Sequence, residues 1–217
     1  MKIIISEQQL KYIITEGRYS QVTREISMDL MKEIKAFLKS DDEEIDWENV
    51  YYHESFDDEE FTVELYLTKT DSEIPFDING GYKFDDENYL NIIDFTIDIN
   101  PKLFKGEQIN KLLAELKDTI RHEIEHISQT ENPEKDVRNK VYNSFAQEVL
   151  IPRELPAYIQ GFYTQAKTRK MYMNDVIDEW ANDRKDQFKN KKEMDKVKDK
   201  LIDFGKKLLP QAKWKWT

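Results

Sequence analysis

The sequence contains no cysteine, so disulfide bridges, thiolate metal ligands and a cysteine nucleophile are all excluded. Histidine is nearly as scarce, with three in 217 residues. No apolar run approaches the length of a membrane span or of a signal-peptide core. These absences predict a cytoplasmic protein that makes no membrane contact.

Basic residues are outnumbered by acidic ones. The chain has 33 lysines and arginines against 44 aspartates and glutamates, which gives a formal net charge of -11. A general nucleic-acid binder needs a basic surface that displaces counterions, so we expect no nucleic-acid partner. The basic end at residues 206–215 carries Trp214, with Trp216 just beyond it. We expect these tryptophans to pack on the rest of the protein or on a partner.

The hydrophobic pattern changes from helical to strand-like and back along the chain. It predicts a short helix that ends at Gly17 and a longer helix over residues 20–39. Strand signals follow at residues 51–56, 61–68, 74–84 and 89–99. Within the third of these stretches, Asn79-Gly80-Gly81 predicts a tight hairpin turn, so we expect a small antiparallel sheet.

The predicted fold class is α+β. N-terminal helices precede the small antiparallel sheet, and a helix over residues 107–129, further helices and a charged helical C-terminal tail follow it. The length suits one main domain. We assign residues 1–170 to that domain and residues 171–217 to a charged helical extension.

Residues 111–129 (KLLAELKDTIRHEIEHISQ) carry the strongest chemical signal. On an α-helix with about 3.6 residues per turn, His122 and His126 lie one above the other, so both imidazoles can reach one tetrahedral cation. Glu123 is the next residue round on the same side, where its carboxylate can reach a water bound to that cation and act as a general base. The pattern predicts a zinc site, and its simpler alternative is a pair of surface histidines.

The apolar arc of this helix favours the zinc site. Glu123 falls among the leucines and isoleucines of the arc, where a carboxylate costs several kcal/mol unless something pairs with it. Arg121 and Glu125 are four residues apart and are predicted to lie on the far side as an ordinary solvent-exposed pair. The polar residues inside the arc are therefore the ones that a zinc site would use.

A third ligand is predicted within residues 152–165 (PRELPAYIQGFYTQ). On a helix, Glu154 heads a face with the small residues Ala157 and Gly161, which allow another helix to approach closely. Glu154 can then reach a metal held by the two histidines; alternatively, it is only a favourable charge in a first helical turn. The remaining histidine, His53, is expected in a strand as a partly exposed side chain rather than as a fourth ligand.

With His122-Glu123-x-x-His126 followed by Glu154, the sequence resembles the gluzincin group of the zincin metallopeptidases. The resemblance implies His122, His126 and Glu154 as zinc ligands and Glu123 as the general base. It also implies that a tyrosine stabilises the oxyanion, and both Tyr158 and Tyr163 are candidates for this part.

Two further features bear on the resemblance. The family usually has an uncharged residue before the second histidine, and this chain has Glu125 there. The opening MKIIISEQQLKYIITEG looks like the N-terminal pattern of predicted proteins from marine phages, which implies a phage-encoded and virion-associated protein.

Together these patterns predict a zinc-dependent endopeptidase that cleaves a protein or peptide substrate by means of a metal-activated water. We expect an edge strand within residues 89–99 to hold the substrate by backbone pairing. Two alternatives remain. One is a structural or assembly protein with a degenerate or purely structural metal site, and the other is a metal-dependent hydrolase of a different bond. The sequence does not determine an oligomeric state.

Overall fold

The structure, a computed structural model, describes residues 7–52, 60–85, 90–128 and 144–215. The chain forms two compact units, residues 1–124 and 125–217. In chain order, the elements are α1 (Glu7–Phe37), β1 (Glu44–Tyr52), β2 (Glu60–Lys69), β3 (Phe76–Asp85), β4 (Leu90–Ile99), α2 (Gly106–Ser128), α3 (Phe145–Val149), α4 (Glu154–Arg169), α5 (Met173–Asp183) and α6 (Lys191–Leu208). A single 3₁₀ turn, Lys185–Gln187, separates α5 from α6. The predicted α+β class is confirmed.

The sheet of the first unit is mixed rather than purely antiparallel. Its strand order is β1-β2-β4-β3, in which β1 pairs with β2 and β3 with β4 antiparallel, while β2 and β4 run parallel. The expected antiparallel pairing is therefore wrong for the central strands. β4 lies between β2 and β3, so the expectation of an edge strand within residues 89–99 is also wrong. The edges of the sheet are β1 and β3.

One face of the sheet is apolar and is covered by helices. Alternate residues of β2 and β4 point to this face and are fully buried, among them Val63, Leu65, Ile93, Phe95 and Ile97. α1 packs against β2, and the Tyr51 hydroxyl of β1 donates a hydrogen bond to the Asp29 carboxylate of α1 over 2.9 Å. The opposite face carries several acidic side chains, among them Glu64, Asp94 and Asp98, as is usual for a sheet face that is exposed to water.

α1 continues through Gly17, where the sequence pattern predicts an end. A glycine inside a helix costs only about 1 kcal/mol relative to alanine, which is too little to stop a helix that has a buried face. From Tyr19 onward that face is continuous, with Val22, Ile26, Leu30 and Ile34 buried against the first unit. The two predicted N-terminal helices are therefore one helix of 31 residues.

Asn79-Gly80-Gly81 lies in the middle of β3 instead of forming the predicted hairpin turn. The hairpin turn requires positive φ angles, and no glycine among the described residues has one. The glycine at position 80 serves a different purpose. A Cβ placed there would lie only 2.4 Å from the Thr119 Cγ2 atom of α2 and 3.1 Å from the Phe95 ring. Gly80 thus allows α2 to approach the sheet closely.

The second unit is helical, and its helices share one core. α4 packs against both α5 and α6, and α3 packs against α4 and α6. Trp180 of α5 is at its centre, with ring-centroid distances of 5.3 Å to Tyr158 and 5.4 Å to Phe162 of α4. The predicted boundary after residue 170 therefore falls inside this unit, because α5 and α6 cover the apolar face of α4.

Trp214 packs on its own unit, as the sequence predicts. It is 4 % exposed, and its indole Nε1 donates a hydrogen bond to the Leu209 carbonyl over 3.0 Å. Its ring lies against Gly205 of α6, where a Cβ would come within 2.5 Å of the indole. Trp216 lies outside the described residues.

Candidate metal centre

The C-terminal half of α2 presents the two histidines on successive turns, as predicted. The helix forms because apolar residues recur at helical spacing, and Leu112, Leu116, Ile120 and Ile124 are all fully buried. His126 is 6 % exposed, whereas His122 is only partly buried. The His126 imidazole is therefore buried, whereas the His122 imidazole is partly exposed to solvent.

Glu154 is the first residue of α4, and its carboxylate lies beside His126 of α2. The following turn presents Ala157, which is fully buried, and Gly161 is buried one turn later. The Glu154 Oε2 atom lies 3.3 Å from the His126 Nε2 atom, and the Glu154 side chain is 21 % exposed. Residue 154 is thus in direct contact with the imidazole it was predicted to accompany.

His122, His126 and Glu154 together offer three metal-ligand atoms that all lie within 4.8 Å of one another. Two ligands bound at about 2.1 Å to a tetrahedral zinc are about 3.4 Å apart, close to the observed spacing of His126 and Glu154. Two imidazoles and a carboxylate also form a donor set that suits zinc, in contrast to the all-oxygen sets of calcium and magnesium. The group is therefore close enough, and chemically suited, to bind a metal ion.

Glu123 is buried, as its position in the apolar arc predicts. It is 7 % exposed and directly follows His122 on α2. Among the described residues, the cluster of possible ligands consists of the two histidines and Glu154 and does not include Glu123. This arrangement is compatible with the predicted part of Glu123 as a base rather than a ligand.

The two candidate tyrosines are both on α4, five residues apart. Tyr158 is one turn after Glu154 on the same face, and its ring packs on Phe162 at a centroid distance of 5.8 Å. Tyr163 is nine residues after Glu154, roughly 13 Å along the helix axis, and the Lys167 ammonium group lies 5.0 Å from its ring centre. Proximity to the ligand cluster therefore favours Tyr158.

The prediction that Arg121 lies with Glu125 on the solvent-exposed side of α2 is wrong about its exposure. Arg121 is only 3 % exposed, and its guanidinium carbon lies 4.8 Å above the ring centre of Tyr19 in α1. Glu125 is partly buried. Helical periodicity within α2 could not reveal this, because it does not indicate that α1 supplies an aromatic face for the arginine.

His53 lies outside the described residues, so its predicted place in a strand remains a prediction. Within the part of the chain that the structure describes, no helix has both the length and the apolar character needed to cross a membrane. A scan against protein-family models, a search of curated proteins and a search of solved structures each find no match to this chain.

Proposed function

We propose that the protein is a zinc-dependent endopeptidase of the gluzincin type. The observation that carries this proposal is the convergence of the His122, His126 and Glu154 ligand atoms within 4.8 Å, on two helices in the order that such a site requires. Three protein ligands are typical of catalytic zinc, which keeps a further coordination position for water or substrate.

Each residue of the candidate site has a separate role in the proposed reaction. His122, His126 and Glu154 would hold the metal, and His126 and Glu123 are shielded from bulk water by burial. Bound zinc supplies Lewis acidity, which lowers the pKa of water and polarises a carbonyl. The Glu123 carboxylate accepts a proton from the attacking water and delivers it to the leaving amine nitrogen. The Tyr158 hydroxyl donates a hydrogen bond to the oxyanion.

We further propose that the substrate pairs with β3, since the strand within residues 89–99 is central. β3 is an edge strand, and its Gly80 lies against Thr119, one helical turn before His122. An extended peptide added to this edge would gain backbone hydrogen bonds that do not depend on its sequence.

The test is elemental analysis of protein purified without added zinc, combined with cleavage of a denatured protein substrate. Wild type should contain about one zinc per chain, and His122→Ala and Glu154→Ala should lose it. Glu123→Gln should keep the zinc and lose at least about 100-fold in kcat, because the base is removed and the ligands remain. Glu125→Gln, on the same helix but outside the ligand cluster, is the matched control and should behave as wild type.

The outcomes separate the alternatives. Zinc that is bound without any cleavage would favour the assembly protein with a structural metal. Cleavage that Glu123→Gln retains in full would refute the proposed mechanism. A wild type that takes up no zinc even when incubated with it would refute the metal site itself.

A further inference from the structure

Gly81 of β3 pairs with Asp94 of β4 and leaves a gap in the acidic face of the sheet, the face that carries Glu64, Asp94 and Asp98. A Cβ placed at Gly81 would lie 3.4 Å from the Asp94 Oδ1 atom, so this carboxylate lies beside the place where β3 has no side chain. β3 is an edge of the sheet. The Asp94 carboxylate is therefore directed toward any strand that is added beside β3.

Asp94 belongs to a row of acidic residues that crosses the sheet. The strand registers place Glu64 of β2 opposite Asp94, and Glu48 of β1 opposite Glu64. Like charges directly opposite each other on neighbouring strands destabilise a sheet, so a cation beside this row would be stabilising. The lysine of β3, Lys83, is ion-paired with Glu64 at 2.8 Å. Asp94 is the member of the row that is nearest to the edge at β3.

A strand paired with β3 would place one of its side chains opposite Gly81, on the acidic face of the sheet. Neighbouring strands are about 4.8 Å apart, so this side chain would start roughly 10 Å from β4. Lysine and arginine carry their charge at the end of a long stem and can reach Asp94 across the gap at Gly81. The residues that flank Gly81 on this face of β3 are Asn79 and Lys83, neither of which is acidic. Of these three successive positions, the one opposite Gly81 therefore favours a basic side chain.

We propose that Asp94 selects substrates that have a lysine or arginine opposite Gly81. This inference rests on the proposed function, in which a peptide pairs with β3, and it adds a substrate class: extended peptides with a basic residue at one fixed place relative to the cleaved bond. Backbone pairing does not depend on sequence, so selectivity has to come from side-chain contacts such as this one. Asp94 is partly buried, so salt screens its charge less than that of a fully exposed carboxylate.

The test compares kcat/KM for synthetic peptides that differ only in whether lysine, glutamine or glutamate occupies one position, which is scanned along the peptide. Wild type should prefer lysine to glutamine at least about threefold at one position relative to the cleaved bond, as expected for a cross-strand pair of opposite charges. Because this preference is a ratio measured within one protein sample, it does not depend on how much of the sample is folded.

Two substitutions at Asp94 and one matched control test the contact. Asp94→Asn should lose the lysine preference, and Asp94→Lys should reverse it in favour of glutamate. Asp98→Asn is the control, because Asp98 is partly buried on the same strand and the same face. Its partner on β3 is Asp77 rather than a glycine, so the control should keep the lysine preference.

The outcomes separate this inference from the proposed function. Cleavage without a lysine preference in wild type, or with one that Asp94→Asn retains, would overturn the inference and leave the peptidase proposal intact. A lysine advantage at every position that Asp98→Asn reduces as much as Asp94→Asn does would also overturn it, because this would indicate general attraction to an acidic surface.

If no peptide is cleaved, the proposed function fails, and fluorescence anisotropy of the same peptides carrying fluorescein tests the β3 edge by itself. Tighter binding of the lysine peptide to wild type than to Asp94→Asn would then support the contact with Asp94. Equal binding to the two proteins would overturn it.

Discussion

Glu154 and Glu125 are both partly exposed glutamates on the two helices of the candidate site. The Glu154 Oε2 atom lies 3.3 Å from the His126 Nε2 atom, and among the described residues the cluster of possible ligands contains Glu154 but not Glu125. If Glu154 is a zinc ligand, Glu154→Gln should weaken zinc binding by more than about 100-fold, because a neutral amide replaces a charged ligand. Glu125→Gln should change it less than about threefold. Competition with a chelating dye measures both, and equal effects would mean that the carboxylates act only through net charge.

The phenol of Tyr51 leads to a prediction of how the stability of the protein depends on pH. Burial and the acceptor Asp29 raise the pKa of the Tyr51 phenol above its ordinary value, although the contact with Asn49 acts in the opposite direction. An unperturbed tyrosine titrates near about pH 10. Because the folded state holds this proton more tightly than the unfolded state does, the contribution to stability is complete below about pH 10 and is lost as the pH rises further.

Urea unfolding of wild type and Tyr51→Phe should therefore converge at high pH. At pH 8 the phenylalanine variant should be less stable by about 1–3 kcal/mol, because it loses a hydrogen bond to a charged acceptor. At about pH 11 the difference should be smaller, since only wild type releases a proton from residue 51 on unfolding. A difference that stays constant from pH 8 to pH 11 would contradict the raised pKa.

At the scale of the elements, the contact between α2 and β3 depends on the missing side chain of Gly80. A Cβ there would meet Thr119 and Phe95 at distances that real structures do not tolerate without a shift. Gly80→Ala should therefore destabilise the protein by about 1–3 kcal/mol, as overpacking does elsewhere. Thermal or urea unfolding measures the change.

The neighbouring glycine is a matched control for this prediction. A Cβ at Gly81 would approach only the Asp94 Oδ1 atom, at 3.4 Å, so Gly81→Ala should cost much less. Thr119→Ser, which removes the clashing methyl group, should recover part of the stability of Gly80→Ala. Equal losses in the two alanine variants, or no recovery with Thr119→Ser, would show that backbone freedom and not close packing accounts for the effect.

At the scale of the whole molecule, residues 171–217 should be needed to hold Glu154 in place. α5 and α6 cover α4, whose Ile159 and Phe162 are almost completely buried. A chain that ends at Lys170 would expose these side chains and lose about 1.5–3 kcal/mol for each. We expect it to lose helical structure by circular dichroism and to bind zinc at least about 100-fold more weakly. Unchanged zinc binding would instead support the extension predicted from the sequence.

Much of the fold and of the candidate site can be read from local pattern. Long amphipathic stretches such as residues 20–37 and 107–128 become helices because their apolar spacing matches the helical repeat. His122 and His126 are on one face for the same reason. The burial of Glu123 also follows from local pattern, because the apolar residues that surround it on α2 are only a few positions away in the sequence.

Other features depended on contacts between distant parts of the chain. Alternation within residues 90–99 indicates which side chains are buried, but it does not indicate which strands lie beside this one. The pattern therefore could not predict that β4 pairs with β2 in parallel. Glycines 80 and 81 satisfy a turn pattern, yet the approach of α2 gives Gly80 a different purpose. Arg121 is buried because α1 supplies the ring of Tyr19.

The sequence by itself determined α2, β2, β4, the histidine pair and the buried acid beside it, because each rests on spacing within one element. Only the tertiary structure decided that Glu154 contacts His126, that β4 is central and that Arg121 packs on the ring of Tyr19. Those outcomes depend on which elements pack together, and that choice is set by the burial of whole faces rather than by any local run of residues.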